Sequence, residues 1–88
     1  MHENSLSAYR QLDRSRSRHK IIETMVKIGE TTRQGISSYS HIPINSVCGR
    51  VKELLDDGWI VETGEQRYVN GRPRSVLALS NKFRELSE

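Results

Sequence analysis

The sequence predicts a mainly helical domain that carries one small β-hairpin. Three observations lead there. Apolar residues recur at helical spacing in two clear stretches and one shorter one. The triplet "HIP" at His41–Pro43 breaks the chain between two of them. Further on, Asn70-Gly71 sits between two β-type runs, the strongest short hairpin signal a sequence offers. The chain has 88 residues, which suits one small domain. Such a domain buries roughly 60–65% of its unfolded surface, so its core is thin.

Met1–Asn4 reads as a frayed end. "SLSAYRQLD" then places Leu6, Tyr9 and Leu12 three apart, one weak apolar stripe that would pack on the domain or pair two copies. "RSRSRHK" is a solvated or anion-seeking segment. Residues 1–16 are therefore expected to form an N-terminal arm, partly helical or flexible, ahead of a domain over 17–88. From Ser17 to Ile28, Ile21, Ile22, Met25 and Val26 form a stripe, Glu23 and Lys27 pair on the outside, and Gly29 ends the helix.

Thr31 with Gln34 matches a capping box, and Thr32 is also a good N-cap. A short helix over 33–40 buries Ile36 and Tyr39, but Gly35 and its serines make it a poor helix by propensity, so packing must hold it. The next helix starts near Pro43 or Ile44. Its inner side is Ile44, Val47, Val51, Leu54 and Leu55, with Cys48 at the edge of the core. Its outer side is Asn45, Ser46, Gly49, Glu53 and Asp56, flanked by Arg50 and Lys52. Gly58 ends it. The strands are Trp59–Thr63 and Arg74–Ser80. Pro73 weakens the return strand near the tip, so a looser turn than two residues is expected. Ser80 caps a last short helix with Phe83 and Leu86 on one face. Three helices, a tight turn between two of them, a hairpin and a closing helix describe a winged helix-turn-helix.

The stretch "TTRQGISSYSHIPINSVCGRVKELLDDGWIVETGEQRYVNGRPRSVLAL" also resembles the winged helix-turn-helix DNA-binding superfamily of bacterial and phage regulators. The likeness spans about Ile21 to Leu79. It rests on Thr32 and Ile36 in the first helix of the motif and on Ile42-Pro43 in the turn. Asn45, Ser46, Val47, Arg50, Val51, Leu54 and Leu55 carry it in the second helix. Gly58, Ile60, Gly71-Arg72-Pro73, Leu77 and Leu79 carry it in the wing. Gly35 and Gly49 depart from the family, which usually keeps good helix formers there.

The resemblance implies double-stranded DNA as partner and a recognition helix over about 44–57 in the major groove. Asn45, Ser46, Gly49 and Arg50 would face base edges, where arginine forks onto guanine and asparagine onto adenine. Gly49 would let the helix approach closely; otherwise it packs against a neighbouring protein segment or is simply tolerated. Lys52 would flank the contact. A basic wing over about 64–74 would lay Arg67, Tyr68, Asn70, Arg72 and Arg74 on backbone or minor groove; alternatively it keeps a hairpin soluble. Thr32, Arg33 and Gln34 at a helix N-terminus suit a phosphate as well as ordinary capping. Arg14, Arg16 and Arg18 would add arm contacts, or form a solvated run.

Composition narrows the alternatives. The net charge is +3 and the pI about 9.4, a mild basic bias whose placement matters more than its size. One cysteine makes a disulfide within the chain impossible and a zinc site implausible, and fits a reducing compartment. No apolar run suits a membrane span, and the start lacks the apolar segment of a signal peptide. A cytoplasmic, nucleoid-associated protein is expected. His2, His19 and His41 are scattered, and no nucleophile elbow, phosphate loop or carboxylate pair is present, so no enzyme, cofactor or small-molecule ligand is expected. A stand-alone transcription regulator without a sensing domain, of the kind a phage encodes, is the reading; a homodimer would suit paired half-sites. The alternatives are a winged-helix protein-interaction module in a replication or assembly complex and the DNA-binding subunit of a replication initiator.

Overall fold

A computed structural model describes residues 3–87 of the chain. In order, α1 spans Glu3–Leu12, α2 Arg16–Ile28, α3 Arg33–Ser40 and α4 Ile44–Asp56. They are followed by β1 at Ile60–Val69, β2 at Arg72–Leu79, α5 at Asn81–Arg84 and a 3-10 turn at Glu85–Ser87. Met1 and His2 of the expected frayed end lie outside the described residues, whereas Glu3 and Asn4 already belong to α1. The fold is a winged helix-turn-helix.

Local chemistry sets most boundaries. The Ser15 side chain accepts from Arg18 N–H, which starts α2 one residue before the expected Ser17. Gly29 closes α2 at φ 75°. Thr32 caps α3 by accepting from Gly35 N–H, and His41 ends it in the left-handed region. Gly58 follows α4 at φ 82°, and Ser80 caps α5 by accepting from Phe83 N–H.

The core gathers Ile21, Ile22 and Met25 of α2, Ile36 of α3, and Val47, Val51 and Leu54 of α4. Ile60, Leu77, Leu79 and Phe83 close it from the hairpin and α5. Tyr9 completes it from α1 and is fully buried. Its ring meets Trp59 edge-on at 5.1 Å and Phe83 at 6.0 Å. The segment expected as an arm thus contributes a large core side chain, with Leu6 packed beside it, while Leu12 is exposed.

Three apolar expectations are corrected. Tyr39 is about half exposed rather than buried, because the eight-residue α3 presents only Ile36 and Ser40 inward. Cys48 is exposed and not at the core edge, because it stands one position, or about 100° of helix, from the buried Val47. Ile44 is also about one-third exposed rather than buried, at the first position of α4.

The hairpin extends further towards its tip than expected, is one residue shorter at its base, and its tip is tighter. Val69 pairs with Arg72, leaving Asn70 and Gly71 as a two-residue turn. Both have positive φ, 53° and 77°, the combination a hairpin turn of this length needs. Pro73 pairs opposite Tyr68 without opening the turn, since in a two-stranded ribbon each strand is an edge and a missing N–H is tolerated. The register shifts between Glu62 and Gln66, around Gly64 at φ 89°. Thr31 forms a bridge to Leu77 in both directions, N–H to O at 3.1 and 2.7 Å, tying the loop before α3 to the return strand.

Asp13 holds the α1–α2 corner. Its carboxylate accepts from Tyr9 OH at 2.5 Å, Ser15 N–H at 2.9 Å, and Arg18 Nε and Nη2 at 2.7 and 2.9 Å. The Arg18 fork, with Tyr9 and Ser15 assisting, holds this carboxyl far below the usual carboxylate range against the opposing pull of burial. Burial pushes the Tyr9 hydroxyl well above the usual phenol range, and the Asp13 hydrogen bond adds to that. A depressed carboxyl stabilises the fold fully above its unfolded pKa and loses that contribution as pH falls towards its folded value. Asp13→Asn should therefore lower stability at pH 7 by about 2–4 kcal/mol. It should also flatten the fall in stability below about pH 4, where unfolded aspartates protonate. Urea melts of both proteins at pH 7, 4 and 2.5 check this; an equal pH slope in the two would refute it.

Candidate nucleic-acid interface

Three elements meet on one side of the molecule. Arg33 and Gln34 open α3, Cys48 lies on the first half of α4, and Pro73, Arg74 and Ser75 begin the return strand; together they line one cleft. A neighbouring cleft is lined by Gln34, Ser37 and Ser38 of α3, Ile44 of α4, and Val69, Asn70 and Arg74 of the wing. Asn45, Ser46 and Gly49 are exposed on α4, and Arg50 is half-exposed beside them. Lys52 is exposed further along the same helix. The leading end of α4 is thus open to solvent.

The wing is buried only at its base. In β1 only Ile60 is buried, whereas β2 becomes buried over Val76–Leu79. The tip half of the ribbon therefore covers no core. A two-stranded ribbon is marginal by itself, and this one is tied down by specific bonds. Arg67 Nη1 donates to the Glu30 carbonyl at 3.1 Å, which anchors the ribbon to the loop after α2. Arg67 and Arg72 are exposed, and Tyr68 is, among the described residues, the most exposed of the large apolar side chains, at 76%. Arg74 is half-buried. Its Nε and Gln34 Oε1 are both buried without a hydrogen-bond partner. Leaving such an atom unpaired costs about 1–3 kcal/mol, so a polar group entering the cleft gains by pairing with them.

Thr32 is buried and used as a cap, so its hydroxyl is committed to Gly35 N–H. The three arginines placed in the arm divide. Arg14 and Arg16 are exposed. Arg18 is not a free arm contact: its guanidinium is shared between Asp13 and Glu53. Sequence reasoning missed this because Arg18 and Glu53 are 35 positions apart. It also missed Ser37 and Ser38, which enter the cleft wall through the tight hairpin tip.

The two unusual glycines now separate. A Cβ on Gly35 would stand 2.1 Å from Thr31 Oγ1, so α3 needs glycine to pass that buried threonine. A Cβ on Gly49 would meet nothing within 4 Å. Close packing against another segment of this chain is therefore excluded as its reason among the described residues.

The fold has known company. A Staphylococcus aureus MarR, solved in complex with salicylate and kanamycin, superposes with a TM-score of 0.69 at 20% identity, over 92% of this chain and 52% of that one. A MarR family regulator from Neisseria meningitidis superposes with a TM-score of 0.66 at 22% identity, over 88% of this chain and 52% of that one. The chain thus spans about half the length of each. No protein-family model matches the sequence, and no curated protein does. At these identities the likeness establishes the winged-helix fold. Among the described residues no helix is long and apolar enough to cross a membrane, and no group of three His, Cys, Asp or Glu residues is placed to hold a metal ion.

The glycines make opposite predictions. Gly35→Ala should lower stability by about 1 kcal/mol or more, because overpacking strain exceeds the helix-propensity gain. Gly49→Ala should raise it by up to about 1 kcal/mol. Thermal melts of both variants read the signs; a Gly35→Ala protein more stable than the parent would show that Thr31 turns aside without cost.

Proposed function

We propose that the chain binds double-stranded DNA sequence-specifically and serves as a transcription regulator. α4 lies in the major groove and the wing follows the backbone or minor groove. The observation that carries this reading is the shared cleft. The start of α3, Ile44 and Cys48 of α4 and the arginine-bearing wing line the same clefts, and Asn45, Ser46 and Gly49 are exposed on the same half of α4. Asn45, Ser46 and Arg50 offer groups to base edges. Arg33, Arg67, Arg72 and Arg74 supply cations for phosphate, and the α3 N-terminus adds its free N–H groups. Gly49 fits this reading through its open surroundings, since a bare patch of helix permits close approach to a groove floor or wall. Residues 1–16 act with the domain, with Arg14 and Arg16 as backbone contacts. Two copies on paired half-sites would extend the contact.

Gel shift against random duplexes over a salt series is the first test. Affinity should fall steeply as salt rises, because each neutralised phosphate releases counterions. Arg50→Ala should change the sequences retained from a random pool, at a cost of about 1–3 kcal/mol on its base pair. Arg72→Ala should weaken all sequences alike and reduce the salt slope by about one. Gly49→Ala, although more stable, should bind less well. Absence of binding at low salt would favour a protein-docking role. The exposed Asp56, Asp57 and Glu62 would then be the surface to test. The Staphylococcus aureus neighbour carries salicylate, so the same gel shift with salicylate added reads whether a small molecule alters binding here.

A further inference from the structure

A chain of alternating charges runs from the α1–α2 corner to the outer face of α4. Asp13 grips Arg18 by two hydrogen bonds at 2.7 and 2.9 Å. The remaining Arg18 Nη1 donates to Glu53 Oε1. The other oxygen, Glu53 Oε2, takes Arg50 Nη2 at 3.0 Å. The order Asp13, Arg18, Glu53, Arg50 therefore reads minus, plus, minus, plus. Exposure rises along it: the side chains are 10%, 24%, 37% and 41% exposed. The inner end is fixed and the outer end is free to move.

Building on the DNA-binding reading, we propose that Arg18 is a positioning residue for Arg50, acting through Glu53, the carboxylate that competes with a base for the Arg50 guanidinium. Glu53 holds the Arg50 guanidinium in the free protein, and Arg18 allows Glu53 to release it to a base edge. An arginine that leaves a carboxylate for guanine strands a negative charge beside DNA phosphates, where like charges repel. Here the carboxylate stays paired through Oε1, because Asp13 keeps Arg18 from following Arg50. Without Arg18, both Glu53 oxygens turn to Arg50 and compete with the base. The neighbouring i,i+3 pair on an exposed helix face is weak by itself, so Arg50 is parked and not locked.

The test uses duplexes selected from a random pool by the wild-type chain. Affinity is measured for the four base pairs at the position that Arg50→Ala desensitises. Arg18→Gln should weaken binding to the selected duplex about threefold and reduce that discrimination, the size expected when an exposed arginine–glutamate pair competes for the contact. In a Glu53→Gln background the same change should cost less than about twofold, since no carboxylate remains to be stranded. Arg18→Lys should rescue most of the discrimination. Glu53→Gln alone should tighten binding about threefold and keep the discrimination, because it removes a charge that competes for Arg50 and repels phosphate. This variant lies at a half-exposed site, so it decides the matter if circular dichroism shows Arg18→Gln unfolded. Equal Arg18→Gln losses in both backgrounds would trace the effect to the Asp13 corner and overturn the proposal, as would weaker binding by Glu53→Gln. If the wild-type chain retains no duplex, the DNA-binding reading itself falls. If it binds and responds to Arg50→Ala while Arg18 and Glu53 act additively, that reading stands and the coupling is lost.

Discussion

The carboxylate of Asp13 is the constraint on which the rest of the molecule leans. It closes the short connection between α1 and α2 by accepting from Tyr9, Ser15 and Arg18 at once. Each of these bonds has a consequence elsewhere. Tyr9 is set at an angle that lets its ring reach Trp59 and Phe83, so α1 joins the core. Ser15 is placed to cap α2. Arg18 is aimed across the molecule at Glu53 on α4. A small domain has little apolar area to spare, and a satisfied, largely buried polar corner of this kind fixes a defined arrangement of helices.

How much of this could be read from the sequence depended on distance along the chain. Gly29, Gly58 and Ser80 announce their elements because a cap acts on residues within one turn. Asn70-Gly71 likewise announced the hairpin, although the effect of Pro73 was overestimated: a ribbon made only of edges has room for a missing N–H. Ile36, Val47, Val51 and Leu54 were legible through periodicity. Tyr9 was not, since one stripe of three apolar residues does not say what it packs against. Cys48 was misplaced by a single helical step. The Arg18–Glu53 pair was invisible, because two side chains separated by 35 positions meet only once the helices have crossed.

The candidate interface follows the same division. Its residue types were apparent, since arginines in a hairpin and small polar residues at a helix start stand out. Their assembly was not. That Gln34, Ile44 and Asn70 share a cleft wall comes from three separate elements being docked on one core. Gly35 and Gly49 look alike in a string of letters, yet one yields to a buried threonine and the other to open space. The difference is tertiary, and propensity arguments carry no information about it.

The bridge between Thr31 and Leu77 sits one residue before the cap that starts α3. The return strand and the first turn of that helix are therefore joined through a single rigid peptide step, while Arg67 clasps the same loop from the other strand. A torque applied at the ribbon's tip is passed directly to the helix pair beside it. The return strand and the start of α3 are therefore coupled mechanically, so that a tilt of one carries the other with it.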